Sequence, residues 1–341
     1  MSFRAAAGAL VSALRVGGPL VLCEVKDEPP VRSGSASVQA NGLNEDRFRI
    51  AHKSNMTIAT LADGHGSHRI SEFVVDKLPD ELFKRGSHTP ALITSAFVHV
   101  DNLLRGIMFT GKWDEWQAGS CALAAIINPS GVTVANCGHS RALLIDPPSH
   151  SYKWVSETHS ADNESEQSRL RSLHPDERDV VHCRHKIVEL DGETDQIKSV
   201  RWAACYVKGR LQATRSFGDF YLKDIRAADV CPSLVPRASH FTPPYIEAAP
   251  TVVSFDRSPG SVLVLASDGL WDYLSPEEVT QVVEILIGDQ DAPKIAQELV
   301  DKALSVAAEA TELSVSELKS MEPGIEKRSI HDDITAIVLL L

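Results

Sequence analysis

The chain has 341 residues, of which 43% are hydrophobic, and carries a net charge of −12 from 46 acidic and 34 basic side chains. This length and apolar content suffice for a large domain with a substantial core. The acidic balance and the lack of a long basic block argue against nucleic acid as a partner. No run of about 20 apolar residues occurs, so insertion into a membrane is not predicted. The composition does not specify an oligomeric state.

The cysteines are widely spaced along the chain and include no CxxC pair. This pattern favours a reducing compartment and thiols that are mostly buried. The six residues are Cys23, Cys121, Cys137, Cys183, Cys205 and Cys231.

The N-terminal segment differs in composition from the rest of the chain. Residues 1–23 contain two arginines and no acidic residue, which is typical of a mitochondrial transit peptide. A leader without a targeting role fits the same composition equally well. A mitochondrial location is therefore predicted, with a cytoplasmic one as the alternative. Residues 24–40 are polar, contain a Pro-Pro pair and predict a linker. We expect a leader and linker over 1–40 and a single domain over 41–341.

The first half of the expected domain predicts strands followed by a helix pair. Residues 47–52 alternate polar and apolar side chains, and residues 56–61 are rich in β-branched residues, so both predict strands. Apolar residues at helical spacing predict one helix over 70–78 and a second over 92–107. Residues 119–145 predict an antiparallel meander of three strands, because their connections are too short for crossover helices.

The second half begins with polar sequence and ends with regular elements. Residues 147–200 predict an irregular flap or insertion with a short exposed helix over 165–173. The apolar run over 261–267 predicts a central strand that is buried on both faces. Ser275-Pro276-Glu277-Glu278 forms a capping box, which predicts the start of a helix. A further helix is predicted over 293–310 and a closing apolar strand over 334–341. Strands interleaved with helix pairs indicate one α+β domain.

Carboxylates stand at the ends of four predicted strands. Asp46 and Asp332 precede a strand, whereas Asp63 and Asp268 follow one. Taken alone, the turn Asp63-Gly64-His65-Gly66 also fits a purely structural role, since Asp and Gly are common turn residues. Four such strand ends in one sheet sandwich would bring carboxylates together, where they repel and take up protons. A divalent cation removes that conflict.

The residue types at these strand ends favour phosphate chemistry. Oxygen ligands favour Mg²⁺ or Mn²⁺ over Zn²⁺. More than three acids suggest two metal ions, which together can activate a water for attack on a phosphoryl group. His65 lies beside Asp63 and is the predicted general acid for the leaving alcohol.

Seven segments of the chain, in order, resemble the metal-dependent Ser/Thr protein phosphatases of the 2C type. Each segment is a weak signal alone, but their order over residues 40–341 is specific. The segments are Asn44-Glu45-Asp46, Asp63-Gly64-His65-Gly66, Gly119-Ser120, Ala135-Asn136-Cys137-Gly138-His139-Ser140-Arg141-Ala142, Thr214-Arg215-Ser216-Phe217-Gly218-Asp219, Ala266-Ser267-Asp268-Gly269-Leu270-Trp271-Asp272 and Asp332-Asp333-Ile334-Thr335.

The resemblance implies a fold, a reaction and a set of site residues. The implied fold is a central sandwich of two antiparallel β-sheets flanked by pairs of antiparallel helices, with a dinuclear metal site at one end. The implied substrate is a phosphoprotein, whose phosphoserine or phosphothreonine is attacked directly by a metal-bridging water with His65 as the acid. The implied metal-binding residues are Asp46, Asp63, Asp268 and Asp332, the Gly64 carbonyl, Glu45 through a water, and Asp272 at a third, weaker metal.

Two positions depart from the usual pattern of this family. The family usually has an Arg four residues before Glu45 that grips the substrate phosphate. Here that position is Asn41, which cannot make the same charge-assisted contact. The pyruvate dehydrogenase phosphatase branch also lacks this Arg, and the chain resembles that branch. The family usually has Asp at the position of His139, and the loss of its negative charge predicts a weak third-metal site and turnover that is reduced or shifted towards Mn²⁺.

Two functions follow from these residues. The first is an active phosphatase, and the second is a pseudophosphatase that acts as a binding or regulatory scaffold. The altered Asn41 and His139 favour the scaffold. The retention of His65 and of all four strand-end aspartates favours the enzyme, because clustered carboxylates repel one another without a metal. The sequence does not specify which phosphoprotein is the substrate.

Overall fold

The computed structural model describes residues 31–86, 88–190, 197–233 and 241–341. The predicted leader and the first part of the predicted linker, residues 1–30, lie outside them. The strands are β1 (Arg32–Val38), β2 (Arg47–Lys53), β3 (Met56–His65), β4 (Gly119–Asn128), β5 (Gly131–Cys137), β6 (Arg141–Asp146), β7 (Ser151–Trp154), β8 (Val181–Leu190), β9 (Ile197–Val207), β10 (Phe217–Gly218), β11 (Thr251–Phe255), β12 (Val262–Ala266) and β13 (Ile334–Leu340). The helices are α1 (His68–Lys84), α2 (Pro90–Phe109), α3 (Glu164–Leu173), α4 (Phe220–Lys223), α5 (Ala227–Val230), α6 (Asp268–Trp271), α7 (Pro276–Leu286), α8 (Ala292–Ala310), α9 (Val315–Ser320) and α10 (Ile325–Arg328).

Two antiparallel sheets form the centre of the molecule. One has the strand order β1-β13-β12-β6-β7, and the other has the order β11-β5-β4-β3-β2 with β10 paired to β4. Every neighbouring pair in both sheets is antiparallel. The predicted α+β class and two-sheet architecture are confirmed.

The side chains of the central strands divide between three layers of core. In β12, Leu263 and Leu265 face the opposite sheet, whereas Val262 and Val264 face the helices. This division follows from the two-residue period of a strand, which points successive side chains to opposite faces. Each fully buried Val or Leu contributes about 1.5–3 kcal/mol through its removal from water. The layers therefore hold the strand ends in fixed positions.

A helix pair covers each sheet on its outer face. Helices α1 and α2 pack on the sheet that contains β3 and β4, and α7 and α8 pack on the sheet that contains β12 and β13. Helix α7 begins with the predicted capping box, in which Ser275 and Glu278 bond each other's backbone N–H groups. No helix in the described ranges is long and apolar enough to cross a membrane.

The linker predicted to extend to residue 40 is wrong over residues 32–38, which form β1. This strand pairs with β13 along its whole length, from Arg32 opposite Leu340 to Val38 opposite Ile334. Its sequence is largely polar, which an edge strand tolerates because only part of it is buried. A Cβ on Gly34 would lie 2.1 Å from the backbone nitrogen of Pro293, so the close approach of α8 requires glycine there. The domain thus begins before residue 41.

The meander predicted over residues 119–145 is also wrong in its third strand. Strands β4 and β5 pair as predicted, but β6 pairs with β12 in the other sheet. Gly138 makes this change of sheet possible, since it has a φ of +119° and a Cβ there would lie 2.3 Å from Cys121 Sγ. Because the connection crosses between the sheets, it places His139 at the end of the sandwich.

The segment over residues 147–200 is more regular than predicted. Helix α3 lies where a short exposed helix is predicted, whereas the hairpin of β8 and β9 is not predicted and forms a separate two-stranded sheet. Cys183 and Cys205 lie directly opposite each other in this hairpin, and their sulfur atoms are bonded. The prediction of thiols therefore fails for this pair, because only the strand register brings the two residues together. Cys121 and Cys137 are buried free thiols, as expected.

Candidate metal centre

Carboxylates from distant parts of the chain meet at one end of the sandwich. Asp46 immediately precedes β2, Asp63 lies near the end of β3, Asp268 begins α6 just after β12, and Asp332 lies two residues before β13. Ser267 Oγ donates to Asp46 Oδ2 over 2.8 Å and so joins the start of β2 to the end of β12. Burial, followed by the charges of Asp268, Asp46 and Asp332, raises the pKa of Asp63 well above its usual value.

The burial and chemistry of the carboxylates match a divalent cation. Asp63 Oδ2 is buried and has no hydrogen-bond partner among the described residues. Burial also raises the pKa of Asp46 well above its usual value, although the hydroxyl groups of Thr335 and Ser267 oppose this. Buried anions without partners are costly, and hard oxygen donors match Mg²⁺ or Mn²⁺.

The centre is not a ready-made coordination sphere. Within the described ranges, no three His, Cys, Asp or Glu side chains are arranged so that they could hold a metal ion. Other groups engage two of the carboxylates instead. His139 Nδ1 lies 3.7 Å from Asp268 Oδ2, and Arg328 Nη2 lies 2.5 Å from Asp332 Oδ2. The chemistry and burial of the donors fit a hard cation, whose binding would require these side chains to move closer together.

Glu45 and Gly64 lie side by side at this centre. A Cβ on Gly64 would lie 2.6 Å from the carbonyl oxygen of Glu45, so the close approach of β3 requires glycine. Ser71 on α1 donates its hydroxyl to the same carbonyl. Burial, followed by the charge of Asp333, raises the pKa of the Glu45 carboxyl group. Both residues therefore lie beside the other carboxylates, and their roles as ligands stay a prediction.

Asp272 follows α6, and its backbone N–H donates to the Asp268 carbonyl over 2.8 Å. Burial and the charges of Asp268 and Asp332 raise the pKa of Asp272 to about 6. The helical turn thus brings Asp272 within electrostatic range of the other carboxylates.

Asn41 organises the loop that leads to Glu45. Its side-chain nitrogen donates to Asp333 Oδ2 over 2.9 Å and to Asp332 Oδ1 over 3.3 Å. Asp333 is 2% exposed and also accepts the backbone N–H groups of Ala40, Asn41 and Glu45. Asp333 therefore links the loop to the start of β13 by hydrogen bonds, one of which is donated by the amide of Asn41.

His65 is paired with a buried carboxylate. Its Nε2 lies 2.8 Å from Oδ2 of Asp219, a residue that is fully buried and comes just after β10. Burial lowers the pKa of His65, but the charge and hydrogen bond of Asp219 outweigh it and raise the pKa above its usual value. A Cβ on Gly119 would lie 1.9 Å from Asp219 Oδ2 and 2.6 Å from His65 Nε2. Glycine at position 119 therefore leaves room for the pair.

Comparison with known proteins identifies the family. The model of the family described as protein phosphatase 2C matches residues 32–311. The chain belongs to the protein phosphatase 2C family. This match contains all the proposed site residues except Asp332. The sequence resemblance to 2C phosphatases is confirmed.

Similar proteins cover nearly the whole chain. "Probable protein phosphatase 2C 67" of Arabidopsis thaliana is 34% identical over 331 residues, which are 90% of this chain and 82% of that protein. "Probable protein phosphatase 2C 48" of the same plant is 33% identical, with 90% and 79% covered. A solved serine-threonine phosphatase 2C from Toxoplasma gondii has a TM-score of 0.61 at 19% identity, with 91% and 95% covered. That structure supports the fold alone.

The chain is thus a Ser/Thr protein phosphatase of the metal-dependent 2C family. The comparisons contain nothing that favours a scaffold without turnover. Three residues of this 2C phosphatase centre have no role predicted from the sequence, namely Asp219, Asp333 and Arg328. Asp219 and Asp333 stand in segments that carry the family resemblance, but their sequence positions do not indicate that one contacts His65 and the other holds a distant loop. Arg328 lies outside all seven segments.

Proposed function

We propose that the chain hydrolyses phosphoserine and phosphothreonine in proteins with the help of two Mg²⁺ or Mn²⁺ ions. Asp46, Asp63, Asp268 and Asp332 would hold the ions together with the Gly64 carbonyl and, through a water, Glu45. The observation that carries this proposal is the buried, unpartnered oxygen of Asp63 among the other carboxylates. When bound, such ions supply Lewis-acid activation of a water and of the phosphoryl group.

His65 would protonate the leaving oxygen of serine or threonine. A general acid works best when its pKa lies near the working pH, and Asp219 raises the pKa of His65 above its usual value. Asp219 also fixes the ring, since its hydrogen bond to Nε2 decides how the imidazole is oriented. We propose no covalent phosphoenzyme, because direct attack by water needs no nucleophilic side chain.

A turnover assay tests this function. The full chain should hydrolyse p-nitrophenyl phosphate and a phosphothreonine peptide only when Mg²⁺ or Mn²⁺ is added. An Asp63→Asn variant is the control for contaminating phosphatases. The absence of cation-dependent turnover above this control would leave the scaffold as the better proposal.

His139 is proposed to weaken a third cation site that involves Asp272. We expect His139→Asp to raise turnover in Mg²⁺ more than in Mn²⁺, because a carboxylate in place of the imidazole that lies 3.7 Å from Asp268 adds negative charge where the imidazole supplies none. The measurement is a titration of each metal against turnover and against melting temperature. Superimposable Mg²⁺ curves for the two proteins would rule out this role.

We also propose a mitochondrial location and a relationship to the pyruvate dehydrogenase phosphatase branch. The support is the acid-free composition of residues 1–23, together with the neutral Asn41. Imaging of residues 1–30 fused to a fluorescent protein tests the location, since that segment precedes β1. Diffuse cytoplasmic signal would favour the alternative.

A further inference from the structure

The centre presents an electrostatic problem for its substrate. A phosphate ester is negatively charged, and the centre gathers at least five carboxyl groups. Cations bound there would offset part of this repulsion. A positively charged side chain at the solvent-exposed edge of the carboxylates would then orient the phosphate. Arginine suits this role because its planar guanidinium group matches the spacing of phosphate oxygens.

Arg328 lies at this solvent-exposed edge. It ends the short helix α10, and its Nη2 contacts Asp332 Oδ2. Its positive charge lowers the pKa of Asp332 against the larger effect of burial. The same charge acts on Glu45, Asp268 and Asp272, which belong to two other segments. One guanidinium group therefore lies within electrostatic range of carboxylates from three parts of the chain.

The backbone holds Arg328 firmly in this place. The N–H of Gly324 donates to the Ala40 carbonyl over 2.8 Å, and the N–H of Arg328 donates to the Gly324 carbonyl over 2.8 Å. These bonds fasten α10 to the loop that carries Asn41 and Glu45. The Arg328 side chain is nevertheless 49% exposed. A fixed backbone and a half-exposed guanidinium group are what binding of an incoming anion requires.

Asn41 lies on the other side of the same carboxylate. It contacts Asp332 Oδ1, whereas Arg328 contacts Asp332 Oδ2. Its amide is neutral and already donates to Asp333. Of the two side chains that flank Asp332, Arg328 is therefore the one with a charge to offer a phosphate.

We propose that Arg328 binds the phosphoryl oxygens of the substrate and of the phosphate product. The proposal rests on the proposed function. A cation held by Asp332 would supply charge that offsets this carboxylate, which would leave more of the guanidinium charge to attract a phosphate. A guanidinium group has five N–H donors, so it can keep contact with Asp332 and still bind two phosphate oxygens.

The test measures phosphate binding separately from turnover. The full chain is loaded with Mn²⁺, and inorganic phosphate is titrated into it by calorimetry. The kcat and KM for p-nitrophenyl phosphate and the affinity for Mn²⁺ are measured on the same preparations. The variants are Arg328→Ala and Arg328→Lys. The matched control is Lys319→Ala, since Lys319 is 48% exposed and pairs with Asp301 on α8, away from the carboxylates.

For Arg328→Ala we expect phosphate affinity to fall by roughly tenfold or more, because charge-assisted hydrogen bonds are lost. KM should rise by a similar factor, with a smaller change in kcat. Mn²⁺ affinity should stay equal or become tighter, since a competing cation has left Asp332. Arg328→Lys should fall between wild type and Ala because it keeps the charge but not the planar guanidinium group. Lys319→Ala should match wild type.

Unchanged phosphate affinity in Arg328→Ala would overturn the proposal. A parallel loss of Mn²⁺ affinity would also overturn it, because Arg328 would then act through the metal ligands. A wild-type chain without turnover would count against the proposed function only. The calorimetric titration would still decide whether Arg328 binds phosphate.

Discussion

Replacing Asp63 with Asn is expected to lower cation-dependent turnover by more than about 100-fold. Even the outer partners of metal ligands change metal affinity or activity by about 10- to 100-fold, and Asp63 is proposed as a direct ligand. In the absence of cations the same variant should be more stable than wild type at neutral pH, because burial and the neighbouring carboxylates disfavour a negative charge at position 63 and the amide carries none. Turnover assays and urea denaturation in chelator check the two effects.

The free energy of unfolding of the cation-free chain should also change with pH in a defined direction. Burial raises the pKa of Asp46 and of Asp63 in the folded chain. The folded state then binds more protons than the unfolded state, so the stability of the cation-free chain falls as pH rises above the usual aspartate range of about 4. This fall should be shallower in Asp63→Asn.

Adding Mn²⁺ should raise the melting temperature of wild type and raise that of the variant much less, since ligands that bind the folded state stabilise it. Lys53→Ala, a change at the exposed end of β2, is the control for effects of preparing a variant. Equal Mn²⁺-induced shifts in wild type and Asp63→Asn would contradict the assignment of Asp63 as a ligand.

Asp219→Asn is expected to move the alkaline limit of turnover to lower pH. The carboxylate raises the pKa of His65 against the opposing effect of burial. Without that charge His65 loses its proton at lower pH, and a general acid is active only in its protonated form. General acid–base catalysis typically contributes about 10²- to 10⁴-fold, so kcat should fall by up to about 100-fold above neutral pH and by less in mild acid.

The choice of substrate separates this role of Asp219 from a structural one. Hydrolysis of a phosphoserine peptide should suffer more than hydrolysis of p-nitrophenyl phosphate, whose leaving group departs readily without a proton. Gly119→Ala should reproduce the effect while keeping the carboxylate, because its Cβ would occupy the space between Asp219 and His65. The same pH profile in Asp219→Asn and wild type would refute the pairing as the source of the acid.

The spacing of apolar and capping residues along the chain was sufficient to predict the strands and helices with strong periodicity. The apolar strand β12, the capping box before α7 and the helix pairs all follow from side-chain spacing. The pattern failed for β1, whose polar edge strand carries no periodic signal, and for β6, which changes sheet after Gly138. Pairing between strands that are distant in sequence decides both cases, and a local pattern does not encode such pairing.

The sequence by itself determined the chemistry of the centre. Acidic residues at four strand ends, with His65 beside one of them, predicted oxygen ligands for a hard cation and a proton donor, since residue type fixes which atoms a side chain can offer. The tertiary structure alone decided how these residues are supported. It placed Asp219 against His65 across 154 residues, Asp333 under the loop of Asn41, and Arg328 beside Asp332. Such contacts depend on distances between folded segments, and these distances arise only when the two sheets pack.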